Sequence, residues 1–217
     1  MGIRLTNRDI QIIEFLKEFR VASTSDLMEL FNFNQPNVNR RMKQLMEEFK
    51  NIRKIEYNPT YNFYNDKYKC KLKNENVYYW KKKSKAIEHD LLINKVYIEL
   101  MQLQEDFIIK EFKREYRIIT DSFTVIPDAY ILIEYKNKEY EYLLELENNK
   151  DFNYKKYYKL EQEGILVPPL IVCTNRRIVN YCKNLEIIKI RLDTSDINKW
   201  VNDFKLGIRD CNFKVNF

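Results

Sequence analysis

The hydrophobic period of this chain changes at Phe49, and the change confines its N-terminal part to few folds. Ahead of Phe49, apolar residues recur at helical spacing. Beyond it, Ile52-Arg53-Lys54-Ile55-Glu56-Tyr57 alternates with a period of two, as a half-buried strand does. Helices must therefore come first and a sheet after them. Thr6 followed by Asp9 reads as an N-cap with an acid in the first turn, and Ile10, Ile13, Leu16 and Phe19 supply the apolar stripe. The short link Arg20-Val21-Ala22 leads to Ser23 and Thr24, both good caps for a second helix that buries Leu27, Leu30 and Phe31. Asn32-Phe33-Asn34 makes a turn, and Pro36 stands where a first helical turn tolerates proline. A third helix over residues 35–49 buries Val38, Met42, Leu45, Met46 and Phe49, and Asn58-Pro59 signals a turn after the strand.

Three helices followed by a hairpin predict a winged helix-turn-helix over residues 1–80. On the third helix, Asn37, Asn39, Arg40, Arg41, Lys43 and Gln44 are the candidate DNA contacts. Asn, Gln and Arg make paired hydrogen bonds to base edges in the major groove, and the start of a recognition helix usually makes those contacts. The alternative is a solvated face on a three-helix domain that binds protein. Charge bears on the choice. Of a net charge of +6, residues 61–86 hold eight lysines against two acids, whereas residues 87–217 are slightly acidic. Lys67 and Lys69 in that segment are candidate phosphate contacts of a wing, because lysines there would release DNA counterions. A solvated, lysine-rich hairpin has the same composition. Tyr61, Phe63, Tyr64 and Tyr68 interleave with these lysines, either to stack on unpaired bases or to form the buried face of the hairpin.

Composition excludes several classes. Cys70, Cys173, Cys182 and Cys211 show no CxxC spacing and the chain has one histidine, which argues against zinc and fits a reducing, cytoplasmic setting. The three glycines form neither a Walker nor a Rossmann phosphate loop, and no apolar run has membrane length. Met1-Gly2 with Thr6 formally matches a myristoylation signal, but Thr6 has a local use as a cap.

Residues 86–217 read as a second domain. Val77-Tyr78-Tyr79-Trp80 is a strand, and a long helix over 86–104 follows. Strands near 107–113, 129–135 and 139–147 come next, then a helix over 153–163. Leu170-Ile171-Val172-Cys173 has the continuous apolar run of a buried central strand. A helix near 176–184, a strand at 187–192 and a helix at 195–205 complete the order. The class is α+β, with an α/β C-terminal domain on a mixed sheet.

Three carboxylates carry the chemistry of this domain. A turn at Asn137-Lys138 sets Asp128 opposite Glu147 and Tyr130 opposite Glu145, so Asp128, Glu145 and Glu147 share one face. Like charges in a strand centre are unfavourable unless a cation joins them or one takes a proton. Mg²⁺ or Mn²⁺ suits such oxygen donors and can polarise a phosphodiester and activate a water. The structural alternative is a strand end open to solvent. His89, with Glu88 beside it near the start of the long helix, is either a local hydrogen-bond partner or a proton acceptor near the acids.

The order of elements, with Pro127-Asp128 on one strand and Glu145-Leu146-Glu147 on the next, resembles the PD-(D/E)xK nuclease fold. The resemblance implies that Asp128, Glu145 and Glu147 act as metal ligands and catalytic groups, with His89 assisting. The third motif residue is usually lysine in that fold and is Glu147 here. Lys150, Lys155, Lys156 or Lys159 can supply a displaced cation or form a solvated helix face. Taken with Leu5-Thr6-Asn7-Arg8-Asp9, Val77-Tyr78-Tyr79-Trp80, His89-Asp90-Leu91 with Asn94, and Lys156 with Tyr158, the chain resembles the replication-relaxation family of plasmids and other mobile elements. That resemblance implies sequence-specific binding of double-stranded DNA in replication, transfer or its regulation. Two alternatives stand beside it: a Mg²⁺-dependent endonuclease or nickase, and a transcription regulator with a dimerising or sensing C-terminal domain. Helix-turn-helix readers commonly bind as dimers, so a homodimer is expected.

Overall fold

The structure, a computed structural model, describes residues 3–57, 75–102, 107–147, 152–153, 155–174, 177–179, 182 and 184–190. Lys67, Lys69, Lys150 and the helix expected at 195–205 lie outside the described residues. The fold is α+β, and the chain divides into two units, residues 1–100 and 101–217. Among the described residues no helix is long and apolar enough to cross a membrane.

The first unit begins with α1 (Asn7–Phe19), β1 (Val21–Ser23), α2 (Thr24–Phe31) and α3 (Gln35–Glu48). Strands β2 (Ile52–Tyr57) and β3 (Glu75–Trp80) and helix α4 (Ile87–Gln102) follow, the last two residues of α4 lying past the division. Each early helix starts where its cap dictates. Thr6 and Asp9 form a reciprocal capping box on α1, Ser23 and Asp26 form another on α2, and the Asn34 side chain accepts from the Asn37 N–H at the head of α3. Asn32 ends α2 in the left-handed region at φ 51°. The buried side of α1 is Ile12, Ile13, Phe15, Leu16 and Phe19, while Ile10 is exposed, so the stripe lies slightly round from the expected one.

Val21 and Ala22, expected in the link Arg20-Val21-Ala22, form a buried strand with the cap residue Ser23, and the antiparallel sheet runs β1-β3-β2. A three-residue segment carries no periodicity to reveal it. Helix α4 is buried almost all round. Within the first unit the Asn94 amide donates to the Val21 carbonyl at 2.7 Å, the Lys95 ammonium meets Asp26 at 2.8 Å, and the Tyr97 ring lies 4.6 Å from that of Phe19. These contacts fasten α4 to β1, α2 and α1.

The second unit is built on a five-stranded mixed sheet. Its strands are β4 (Ile108–Arg114), β7 (Ala129–Tyr135), β8 (Lys138–Leu146), β10 (Leu170–Cys173) and β12 (Ile187–Ile190). A small hairpin, β5 (Ile118–Ile119) and β6 (Thr124–Val125), precedes β7. After β8 come β9 (Phe152–Asn153) and α5 (Lys155–Gln162), and β11 (Ile178–Val179) pairs with β9 in parallel. The spatial order is β12-β10-β8-β7-β4, parallel from β12 to β8 and antiparallel from β8 to β4. The helix expected near 176–184 is replaced at 178–179 by this short pairing, fixed by the Phe152 N–H on the Arg177 carbonyl at 3.0 Å. On one face of the sheet Leu143, Leu170 and Val172 pack with Tyr157 and Leu160 of α5. That packing brings the start of α5 over the end of β8.

Candidate functional site

The β7–β8 hairpin decides which carboxylates meet. Its turn is Lys136-Asn137, both at positive φ (52° and 62°), one residue earlier than the expected Asn137-Lys138. Ala129 therefore faces Leu144, Tyr130 faces Leu143, and the next step of the register sets Asp128 beside Glu145 rather than Glu147. Moving a hairpin turn by one residue displaces each pair by two, so the faces are kept while the partners change. Asp128 is held at the strand end by the Leu146 N–H, which donates to its Oδ2 at 2.8 Å. The Glu147 N–H donates to the Cys173 carbonyl at 3.0 Å, across the junction with β10.

Glu145 is the centre of the site. It is buried, yet its Oε1 accepts the Tyr157 hydroxyl and pairs with the Lys156 ammonium. Lys156 also donates to the Ile126 carbonyl at 3.2 Å, which ties the head of α5 to the Pro127-Asp128 segment. Burial and then the Asp128 charge push the Glu145 carboxyl up to about 7, against the opposing pull of Lys156 and Tyr157. The Tyr157 hydroxyl is pushed well above its ordinary value by its own burial and by Glu145. An acid poised near neutrality beside a lysine and a second carboxylate can hold a proton, bind a cation or orient a water.

Lys156 reaches Glu145, and Lys159 lies over the Phe123 ring at 5.8 Å. Tyr157, not the exposed Tyr158, is the tyrosine of the site. The signal for it was the 157/160 helical spacing that turns both side chains inward with Leu160. Glu88 and His89 stand on α4 in the first unit, whereas Asp128, Glu145 and Glu147 belong to the second. Among the described residues no group of three or more His, Cys, Asp or Glu side chains forms a metal cage. Asp128 and Glu145 still suit Mg²⁺, which commonly takes one or two protein carboxylates and completes its shell with water and substrate oxygens.

In the first unit, the six candidate contacts on α3 separate into two groups. The Arg41 guanidinium is committed to Asp9, with Nε 2.6 Å from Oδ1, and its other donors meet Gln44 Oε1 at 2.8 Å and the Arg4 carbonyl at 3.1 Å. The Asp9 carboxyl sits at about 2: burial would raise it, but hydrogen bonds from Arg41 and Thr6 overcome that. Asn39 turns toward the sheet, where its Oδ1 accepts the Tyr78 hydroxyl at 3.2 Å. Arg40 and Lys43 are exposed, and Arg40 donates locally to the Asn37 side chain at 3.3 Å. Arg41, Gln44 and Asn39 are thus structural ties, and Asn37, Arg40 and Lys43 form the outward face.

No family model matches the chain, and no curated protein does. Among solved structures it is similar to Can2 from Sulfobacillus thermosulfidooxidans, determined in complex with cyclic tetra-adenylate, at 14% identity and a TM-score of 0.41 over 90% of this chain and 59% of that one. It is also similar to the protein VC1899 from Vibrio cholerae, at 13% identity and a TM-score of 0.36 over 93% of this chain and 49% of that one. The chain spans 59% and 49% of the lengths of these proteins, and likeness at such TM-scores is weak.

Proposed function

We propose that this chain binds double-stranded DNA through its first unit and cuts a phosphodiester bond with a Mg²⁺-dependent site in its second. The observation that carries the proposal is the meeting of Asp128, Glu145 and Lys156 at the junction of β7, β8 and α5. These are the two acids and the cation of a PD-(D/E)xK-type site, with the lysine supplied by the following helix instead of position 147. When bound, Mg²⁺ would polarise the phosphoryl group and lower the pKa of a water. Asp128 and Glu145 would hold the ion, Lys156 would offset charge developing on the phosphate, and Tyr157 would fix the Glu145 carboxylate. In the first unit, the order α1-β1-α2-α3-β2-β3 and the β1-β3-β2 sheet support a winged helix-turn-helix with α3 toward DNA. The motif resemblance to the replication-relaxation family supports a role in replication or transfer of a mobile element, with a homodimer on paired half-sites.

Nicking of supercoiled plasmid is the test. Purified protein with Mg²⁺ should convert supercoiled to open-circular DNA, and Asp128→Ala and Lys156→Ala should each abolish that conversion. A second reading, a DNA-binding regulator whose second unit does not cut, is favoured by the absence of a three-carboxylate cage among the described residues. It predicts binding that survives chelation and the Asp128→Ala change, with no nicking at any Mg²⁺ concentration.

A further inference from the structure

A cleft of about 570 Å³ opens between the first turn of α1 and the first turns of α3, lined among others by Asn7, Arg8, Asp9, Phe33, Asn37 and Arg40. Its charge is one-sided. Among the described residues Asp9 is the only acid along its walls, and the half-buried Arg41 neutralises it in an ion pair. That leaves the Arg8 and Arg40 guanidinium groups as the net charge, with the Asn7, Gln11 and Asn37 amides beside them. Arg8 is exposed, and its guanidinium lies over the Phe33 ring, 4.7 Å from the centroid. An aromatic face under a guanidinium restricts its plane while leaving its edge donors directed outward. A planar, oriented fork of N–H groups is the arrangement that meets a phosphate with two parallel hydrogen bonds.

We propose that this cleft holds a backbone phosphate of the DNA duplex that α3 faces, with Arg8 as its principal ligand and Phe33 as the platform that orients it. The proposal rests on the DNA-binding reading of the first unit and extends it to α1. The contact carries register, not sequence: it fixes how α3 lies on the duplex while Asn37, Arg40 and Lys43 meet the groove.

The test is fluorescence anisotropy of the full chain on duplexes of unrelated sequence. Arg8→Ala should weaken binding several-fold on every duplex alike and reduce the slope of log affinity against log salt by about 1. Phe33→Leu, which keeps the charge, should weaken binding while retaining the slope. Thermal melts of both variants should match wild type. Wild-type affinity and slope in Arg8→Ala, with affinity lost in Lys43→Ala, which lies outside the cleft lining, would overturn the assignment of Arg8 and leave the DNA-binding reading standing. A loss confined to one sequence would overturn it in favour of base contact. Absence of salt-sensitive affinity in the wild-type protein would remove the DNA-binding reading itself.

Discussion

Lys95 offers the most quantitative test of how the first unit is held together. Its ammonium lies 2.8 Å from Asp26 Oδ1, 3.2 Å from Glu29 Oε1 and 3.2 Å from Ser25 Oγ. The two acids are not equivalent, because the Asp26 side chain is 0% exposed and that of Glu29 is 41% exposed. Solvent screens the Glu29 leg to about 1 kcal/mol or less. Removing one partner of a buried pair, by contrast, costs about 3–5 kcal/mol, because the other charge stays behind without compensation. Lys95→Met keeps the length of the side chain and deletes the charge, so it should cost about 3–5 kcal/mol. At about 4 °C or more per kcal/mol for a unit of this size, the first-unit transition should fall by at least about 12 °C. Glu29→Gln should cost about 1 kcal/mol or less. Asp26→Asn combined with Lys95→Met should recover part of the single-variant loss, since no buried charge then remains. Burial alone would lower the Lys95 pKa, but Asp26 and Glu29 raise it above the ordinary value. The pair's stabilisation is therefore full at neutral pH and is lost as pH climbs past the lysine range. Calorimetry of the full chain and urea titration check these values. A Lys95→Met cost below about 1 kcal/mol, or an equal cost in Glu29→Gln, would refute the ranking of the two acids.

Other outcomes follow from the same geometry. Arg41→Ala strips Asp9 of its charged partner and should cost about 2–3 kcal/mol in urea titration, so any DNA-binding loss in that variant tracks unfolding. Asn39→Ala should cost about 1 kcal/mol through the Tyr78 hydroxyl and leave the salt slope of DNA binding unchanged. The Glu145 carboxyl sits at about 7 in the fold against an ordinary 4.5, so the stability it contributes is full below 4.5 and is lost as pH rises to about 7. Glu145→Gln should remove that loss, flattening the pH dependence of the urea midpoint between acid and neutral solution; a steeper dependence in the variant would refute the assignment. Replacing Lys136-Asn137 by Asn-Gly should stabilise the β7–β8 hairpin by about 1 kcal/mol in thermal melts, because both positions require positive φ.

The local features were legible because they depend on neighbours in the chain. The caps at Thr6 and Ser23, the strands around 129–135 and 139–147, and the apolar strand Leu170–Cys173 all follow from residue type and spacing. The sharing of a face by Asp128 and Glu145 was legible too, since strand parity survives a two-residue change of partner. Less was readable in the ties between distant segments. Nothing in the spacing of Arg41 or Asn39 separates a groove-facing donor from one spent on Asp9 or Tyr78, and polar residues on one helix face look alike until the neighbour across it is known. The same holds for α4, placed by its position in the chain with the C-terminal domain, while Asn94 and Lys95 join it to the first unit.

Residue order by itself determined where the first three helices and the strands of the acidic hairpin lie, the face on which the acids lie, and the separation of a basic N-terminal part from a near-neutral remainder. Tertiary structure alone decided that Glu145, not Glu147, stands opposite Asp128, that Lys156 pairs with Glu145, and which described cations of α3 face outward. The physical reason is range: helical and strand periods are set within a few residues, whereas an ion pair or a strand partner is chosen by the packing of segments far apart in the chain.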